Sequence, residues 1–490
     1  MLPNPLIPGF NPDPSIVRAD DAYYLVTSSF EYLPGIPVYR STDMVTWEHV
    51  GNVITRPEQA GLENVSTNGG VWAPTIRHRD GVFYVIVTIA MSSRGCVVFT
   101  ATDPAGPWSD GTTLEGVGGV DPDLAWDDDA AYVTYSGFML NGPEAGRHKG
   151  IQQVRVDLEA GKALEEPRPM WSGTGLKAPE APHLYQRGDH WYLLIAEGGT
   201  ERGHSVSIAR GPAPEGPFVG HPANPFLSAR GTNRPIQNTG HADLVSTPDG
   251  DVLVMLGMRP LGGLQSFSPL GRETFATSLT WVDGWPYAEP VRLAPRPGTE
   301  EELFRFADAT VLAGPGWLSV RATPAETATV ADGRLSITGT ADLDHPHVRF
   351  LGRRQRHMTS TFTTVVDARS GKGGLASRYD EHHWFALEAH GTTITAKAHL
   401  AGLAQSWQIE VPPGEIELRI ETSPPPAAAM GEVTGGDRIR LYAGDTLVTE
   451  LDGRYWTAET CASFTGRVTG MYASGGTVSF TDFRYTGRES

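Results

Sequence analysis

Cysteine is nearly absent. Cys96 and Cys461 are the only two in 490 residues, and they stand far apart in the chain. A disulfide framework is thereby excluded, and a reducing compartment is tolerable. Positive charge is also in deficit: 39 Lys and Arg face 57 Asp and Glu, a net charge of −18. So acidic a surface disfavours nucleic acid and anionic membranes. It suits a neutral partner such as a sugar without demanding one. Long apolar runs are missing, for no stretch approaches the roughly 18 uninterrupted apolar residues of a membrane span. The opening Met1-Leu2-Pro3-Asn4-Pro5 lacks the basic region and apolar core of a signal peptide. The expected location is the cytoplasm.

What is abundant is Gly (57) and Pro (38), with short apolar runs between them. That combination favours an all-β protein. From residue 1 to about 300 one strand signal repeats, an acidic or Gly turn followed by an aromatic-rich apolar run. It includes Tyr23-Tyr24-Leu25-Val26, Phe83-Tyr84-Val85, Tyr132-Val133, Trp191-Tyr192-Leu193 and Val252-Leu253-Val254. Tyr24, Tyr84, Tyr132, Tyr192 and Leu253 are separated by 60, 48, 60 and 61 residues. Five all-β units of this size predict a five-bladed β-propeller over residues 1–300.

A second regularity lies upstream of each copy. Asp13 and Asp121 stand 11 residues before their copy's marker; Trp72, Glu180 and His241 stand 12 before theirs. The innermost strand of a propeller blade lines the central channel, so these positions are expected to converge. Asp13 also sits between Pro12 and Pro14. Proline biases the residue before it towards extended backbone, so Asp13 is expected on a stiff extended segment.

Beyond residue 300 the pattern changes. Pro295 to Glu302 is polar and turn-rich, a linker by composition. Alternating runs follow at Ser360–Val366, Trp384–Glu388, Ile416–Ile420 and Thr477–Phe483. They predict antiparallel strands with one solvated face, hence a β-sandwich over residues 310–490. The Pro-rich stretch from Ser423 to Gly436 reads as a mobile surface loop.

Two carboxyl groups flanking a bond are the working parts of most glycoside hydrolases, and a third can raise the acid's pKa. Asp13, Asp121 and Glu180 supply that number. Trp72 and Phe30 offer aromatic faces to a sugar, although aromatics more often pack cores. The motifs resemble those of glycoside hydrolase family 43, in particular its β-xylosidases and α-L-arabinofuranosidases with a C-terminal sandwich. The matching stretches are Asn11-Pro12-Asp13-Pro14, Ser29-Phe30-Glu31-Tyr32, Val71-Trp72-Ala73-Pro74, Val120-Asp121-Pro122 and Glu180-Ala181-Pro182-His183. Further on come Glu197-Gly198-Gly199-Thr200, Gly240-His241-Ala242 and Gly271-Arg272-Glu273. The sandwich matches more loosely, mainly near Phe464-Thr465-Gly466 and Phe480-Thr481-Asp482-Phe483.

The resemblance implies a five-bladed propeller, a concanavalin-like sandwich and an inverting mechanism. It makes Asp13 the general base, Glu180 the general acid and Asp121 the modulator and orienter of that acid. Phe30, Trp72, Thr200 and Arg272 become substrate contacts. His241 becomes the ring near the channel floor, which in relatives touches water or a calcium ion. No cofactor is otherwise required. One departure is Ala181, where relatives often have Gly after the Glu.

The expected activity is exo-hydrolysis of terminal β-1,4-linked xylose from xylo-oligosaccharides. α-L-Arabinofuranosidase activity is close behind, and one pocket can serve both. A non-catalytic carbohydrate-binding propeller and a structural interaction propeller are the alternatives of other classes. The expected partner is a short oligosaccharide, with no nucleic acid and no membrane; a homo-oligomer is compatible with the sequence.

Overall fold

The computed structural model describes residues 2–128, 130–262, 266–425 and 435–489. Most of the Pro-rich stretch read as a loop, residues 426–434, lies outside the described residues. The architecture is nearly all β, and no described helix is long and apolar enough to cross a membrane.

Five antiparallel sheets, three of four strands and two of five, occupy the first 288 residues, one per expected repeat. Their innermost strands are Ser15–Ala19, Gly70–Arg79, Val120–Asp127, Glu180–Arg187 and Gln237–Thr247. Each is followed by a mostly buried apolar strand, such as Val82–Ala90 and His190–Glu197. Those runs are apolar on both faces because each blade packs between two others. Neighbouring innermost strands touch all the way round, and blade five meets blade one. The N-terminal segment locks this closure: Leu6 N donates to Thr274 O at 2.8 Å, and Asn4 Nδ2 to Ala276 O at 2.8 Å.

Below the Asp13 end of the channel the innermost strands are tied by one cation. Arg77 Nη2 reaches Asp123 Oδ1 at 2.6 Å, and Nη1 reaches Asp243 Oδ2 at 3.0 Å. Arg77 Nη2 also donates to His183 Nδ1 at 2.9 Å, and Ser15 Oγ donates to Asp243 Oδ2 at 2.5 Å. One side chain therefore links all five blades.

The sandwich is organised on a long strand, Val468–Arg488. It pairs with Thr299–Arg305, Arg334–Gly339, Arg349–Arg354, Thr359–Asp367 and Gly371–Arg378. Two expectations need correction here. The segment read as a linker, Pro295 to Glu302, is a linker only at its start, since Thr299–Arg305 is a sandwich strand. The strands do not all carry a solvated face. Thr359–Asp367 alternates as expected, but Gly371–Arg378 and His383–His390 are buried on both faces over most of their length. The reason is that their outer face packs on the propeller. Phe10, Phe30 and Tyr32 share one apolar cluster with Phe350, Trp384, Val468 and Tyr472. The propeller strand Tyr32–Leu33 even pairs with Leu318–Val320 of the sandwich.

Charges are buried in this interface as well. Arg378 donates to the Tyr32 hydroxyl at 3.0 Å and lies 3.4 Å from Glu31 Oε1. Arg354 Nε donates to Phe10 O at 2.6 Å, and Arg321 Nε to Val65 O at 2.7 Å. Such groups hold their partners in one geometry because leaving any of them unpaired in a dry interface is costly.

The channel cation gives a stability prediction. Arg77→Leu strands the fully buried Asp123 and Asp243 without a counter-charge. The expected loss is about 3–5 kcal/mol, the usual cost of breaking a buried pair from one side. Thermal melts should show it as a lowered propeller transition; an unchanged transition would refute the tie.

Candidate active site

All five channel positions named from the sequence fall at the same end of the innermost strands. Asp13 immediately precedes its strand, whereas Trp72, Asp121, Glu180 and His241 lie within theirs, next to breaks in pairing register. The positions are not all equivalent, however. Asp13 and Asp121 each stand two residues before the first regular pairs, Ser15 with Val26 and Asp123 with Thr134. In blade four that place belongs to Ala181, two before the His183–Leu194 pair, and Glu180 is one residue earlier. Trp72 likewise precedes the Ala73-Pro74 step that matches Asp13-Pro14 and Asp121-Pro122. For Glu180 and Trp72 the spacing of 12 in place of 11 thus has a structural meaning. Base and modulator candidates share one backbone position, and the acid candidate occupies another.

The backbone of Asp13 is not extended. Its φ is +56°, and Asp121, Ala181 and His241 have φ of +52°, +49° and +48°. A left-handed residue costs an L-amino acid of order 1–3 kcal/mol, and such strain collects at functional sites. At Asp121, Ala181 and His241 this backbone coincides with a break in strand register, and Asp13 adopts it just before its strand begins, so the local proline bias is overridden at the channel mouth.

The electrostatics separate the three carboxyl groups. Asp13 is 4% exposed. It accepts from Arg272 Nη1 at 2.9 Å through Oδ1 and from Ser28 Oγ at 2.6 Å through Oδ2. Burial pushes its pKa up, but the Arg272 guanidinium first, then His241, the Ser28 hydroxyl and His204, together outweigh that and hold it below the usual carboxylate value. Asp121 accepts one bond, from Ala181 N at 3.3 Å. Burial and the Asp13 charge push its pKa up to about 7. Burial, then Asp121 and Asp13, push Glu180 up to about 8. At neutral pH one negative charge is fixed on Asp13 and a proton is retained on Glu180.

Arg272 is placed by several contacts. Its Nη1 also donates to Thr200 Oγ1 at 3.3 Å, and its Nε and Nη2 donate to Phe464 O at 3.3 and 3.0 Å. Its guanidinium lies over the rings of Phe30 and Phe464, at 5.5 and 5.3 Å from their centroids. Phe30 stacks on Phe464 at 6.0 Å and is only 2% exposed. Trp72 meets Phe464 edge-on at 5.8 Å and donates from Nε1 to Asn68 O at 2.9 Å. Phe464 is the residue that was not identified as part of the site. It belongs to the sandwich and is docked by Asn68, whose Oδ1 accepts from Phe464 N at 3.0 Å and Ser463 Oγ at 2.7 Å. The Phe464-Thr465-Gly466 motif was its signal, but nothing local ties that segment to a propeller pocket.

His241 Nδ1 lies 3.6 Å from Asp13 Oδ1. Burial lowers its pKa to about 3, which leaves the ring neutral. Among the described residues no three His, Cys, Asp or Glu side chains converge as metal ligands. Calcium takes about six to eight oxygens. This donor set does not fit a calcium site built from protein atoms, and no chemical step is assigned to one.

Comparison with known proteins agrees with the geometry. The family model for glycosyl hydrolases family 43 matches residues 2–286. The model for a beta xylosidase C-terminal concanavalin A-like domain matches residues 306–486. A non-reducing end alpha-L-arabinofuranosidase of Bacteroides ovatus is 36% identical over 96% of this chain and 91% of that protein. A beta-xylosidase of Bacillus subtilis is 32% identical over 79% of each chain. Among solved structures, a xylan beta-1,4-xylosidase of Bacillus halodurans superposes with a TM-score of 0.87 at 26% identity, covering 99% of this chain and 100% of that one.

Two outcomes follow from this geometry. Ala181 occupies a left-handed position that suits Gly, so Ala181→Gly should stabilise the protein by about 1 kcal/mol. Chemical denaturation checks it, and a destabilised variant would contradict the strain. Asp121→Asn removes a negative charge that raises Glu180. The pKa of Glu180 then falls, and the alkaline limb of the kcat/KM profile moves to lower pH. A limb that stays in place or moves up would disprove the coupling.

Proposed function

This chain belongs to glycoside hydrolase family 43, and on that premise we propose that it removes single terminal pentoses from short oligosaccharides with inversion of the anomeric centre. β-1,4-Linked xylose is the first-choice substrate. The similarity to an arabinofuranosidase across almost the whole chain favours α-L-arabinofuranose as the second.

The reading is carried by one observation: of three carboxyl groups gathered in one cluster, only Asp13 is paired with a guanidinium. Asp13 stays ionised and takes a proton from the attacking water. Glu180 stays protonated and delivers its proton to the leaving oxygen. Asp121, hydrogen-bonded to the acid loop through Ala181 N, keeps that loop in place and its charge keeps Glu180 protonated. General acid and base catalysis of this kind contributes about 10²–10⁴-fold from each group. Inversion requires the water to enter between base and sugar, with roughly 6.5–9.5 Å between the two carboxyl groups. Trp72, Phe30 and Phe464 supply apolar surface around the sugar, and Thr200 and Arg272 supply polar contacts. The Phe464 loop closes one side of the site, which favours short chains and exo-attack.

Activity is tested with paired aryl β-xylosides and aryl α-L-arabinofuranosides. Asp13→Ala should lower kcat by several orders of magnitude on whichever is the substrate, and an Asp13→Ala protein that turns over normally removes the base assignment. Glu180→Ala should lose far more on alkyl than on activated aryl glycosides, since an activated leaving group needs little protonation. NMR of the first-formed sugar decides the stereochemistry; a retained anomer would overturn inversion.

A further inference from the structure

His204 is fully buried beside the acid and belongs to none of the roles above. It immediately precedes the third strand of blade four, Ser205–Gly211. Its Nδ1 lies 3.0 Å from Asn238 O. A carbonyl only accepts, so Nδ1 carries the hydrogen. Nε2 faces Glu180 Oε1 at 3.7 Å. It is buried and has no hydrogen-bond partner among the described residues. The room for the ring is specific. A Cβ at position 240 would meet its atoms at 2.5 Å, so the site requires Gly240. A buried polar atom without a partner is costly, and one aimed at a reacting carboxyl group calls for a functional account.

We propose that His204 is a positioning residue for Glu180: its neutral ring turns the bare Nε2 lone pair on the acid, accepts the acid's O–H between turnovers, and so selects the protonated carboxyl. An ionised Glu180 would set two acceptors face to face in a desolvated site, which is unfavourable. A protonated Glu180 offers the one donor that satisfies Nε2. Burial, with the nearby Arg272, keeps the ring uncharged and lowers its pKa to about 4. The other charged groups around Glu180 are Asp121, Asp13, Arg272 and, from the loop before His204, Glu201. Glu201 is itself paired with Lys177.

The cycle balances in protons. Glu180 gives one to the leaving oxygen, and Asp13 receives one from water. Asp13 then releases its proton to solvent and Glu180 regains one. His204 biases that second transfer, because the carboxylate left facing Nε2 is the disfavoured form.

The inference rests on the acid role of Glu180, so the experiments separate the two. The first is H204Q, whose amide can donate to a carboxylate and stabilise the ionised acid. The alkaline limb of kcat/KM for an alkyl glycoside should then move to lower pH by about one to two units, the worth of one hydrogen bond to a charged group. H204Q should also slow the alkyl glycoside more than an aryl glycoside with an activated leaving group. An unmoved limb with equal slowing of both substrates would overturn the proposal and leave the acid role intact. Full activity of Glu180→Ala on the alkyl glycoside would instead remove the acid role itself. The second experiment uses the native protein and needs no variant to fold. Nitrogen-15 NMR of the histidine rings near neutral pH should show His204 with Nδ1 protonated and Nε2 bare. A proton found on Nε2 would overturn the proposal.

Discussion

The proposed chemistry depends on the contact between Arg272 and Asp13. Three carboxyl groups within reach of one another, Asp13 buried and Asp121 and Glu180 partly buried, would all tend to protonate, since burial and mutual repulsion both oppose charge. One guanidinium breaks that symmetry. It lies 2.9 Å from Asp13, and no hydrogen bond or ion pair joins it to Asp121 or Glu180. The charge it holds on Asp13 then raises the other two. A single cation therefore sets up the proposed base and the proposed acid at the same pH. The assignments follow from the environments, not from the residue types.

That cation is shared between the domains. Its Nη1 serves Asp13 and Thr200 on the propeller, while Nε and Nη2 are taken by the carbonyl of Phe464 on the sandwich. The sandwich is thus a part of the site's electrostatics as well as a wall. Its sheet is buried on both faces where it meets the propeller, and the buried Arg378, Arg354 and Arg321 fix the approach to specific backbone groups. A loose interface would let the Phe464 carbonyl drift, and Arg272 would turn with it.

Much of this was legible before the coordinates. The aromatic repeats gave five blades, because each blade needs one doubly buried apolar strand, and such strands cannot be hidden in the sequence. The upstream carboxylates gave the convergence. Three things were not legible. The left-handed backbone of Asp13 contradicts its proline neighbours, since the turn into the channel strand overrides local preference. The one-residue offset of Glu180 shows in the sequence only as a spacing of 12 in place of 11, with nothing local to say which side chain it re-aims. Phe464 and His204 reach the site through contacts distant in sequence, and neither sits at a repeat position. His204 in particular is read from an unpaired ring nitrogen and from Gly240, and both are properties of packing.

The arrangement of the ring explains why acid and base must come from different backbone positions. Asp13 and Asp121 occupy the same place in their blades, so the fold alone would give them similar surroundings. The Arg272 loop distinguishes them by approaching only one. Glu180 is displaced by one residue, and in a strand a one-residue shift reverses the direction of the side chain. The bulge at Ala181 accommodates that shift while the Ala181 N–H still reaches Asp121. The acid therefore joins the modulator through the backbone without standing where the modulator stands. Ala181 carries the same left-handed backbone as Asp13 and Asp121, so the displacement leaves the ring's common bend intact, and the Arg77 tie below the ring gives the blades the stiffness to hold it.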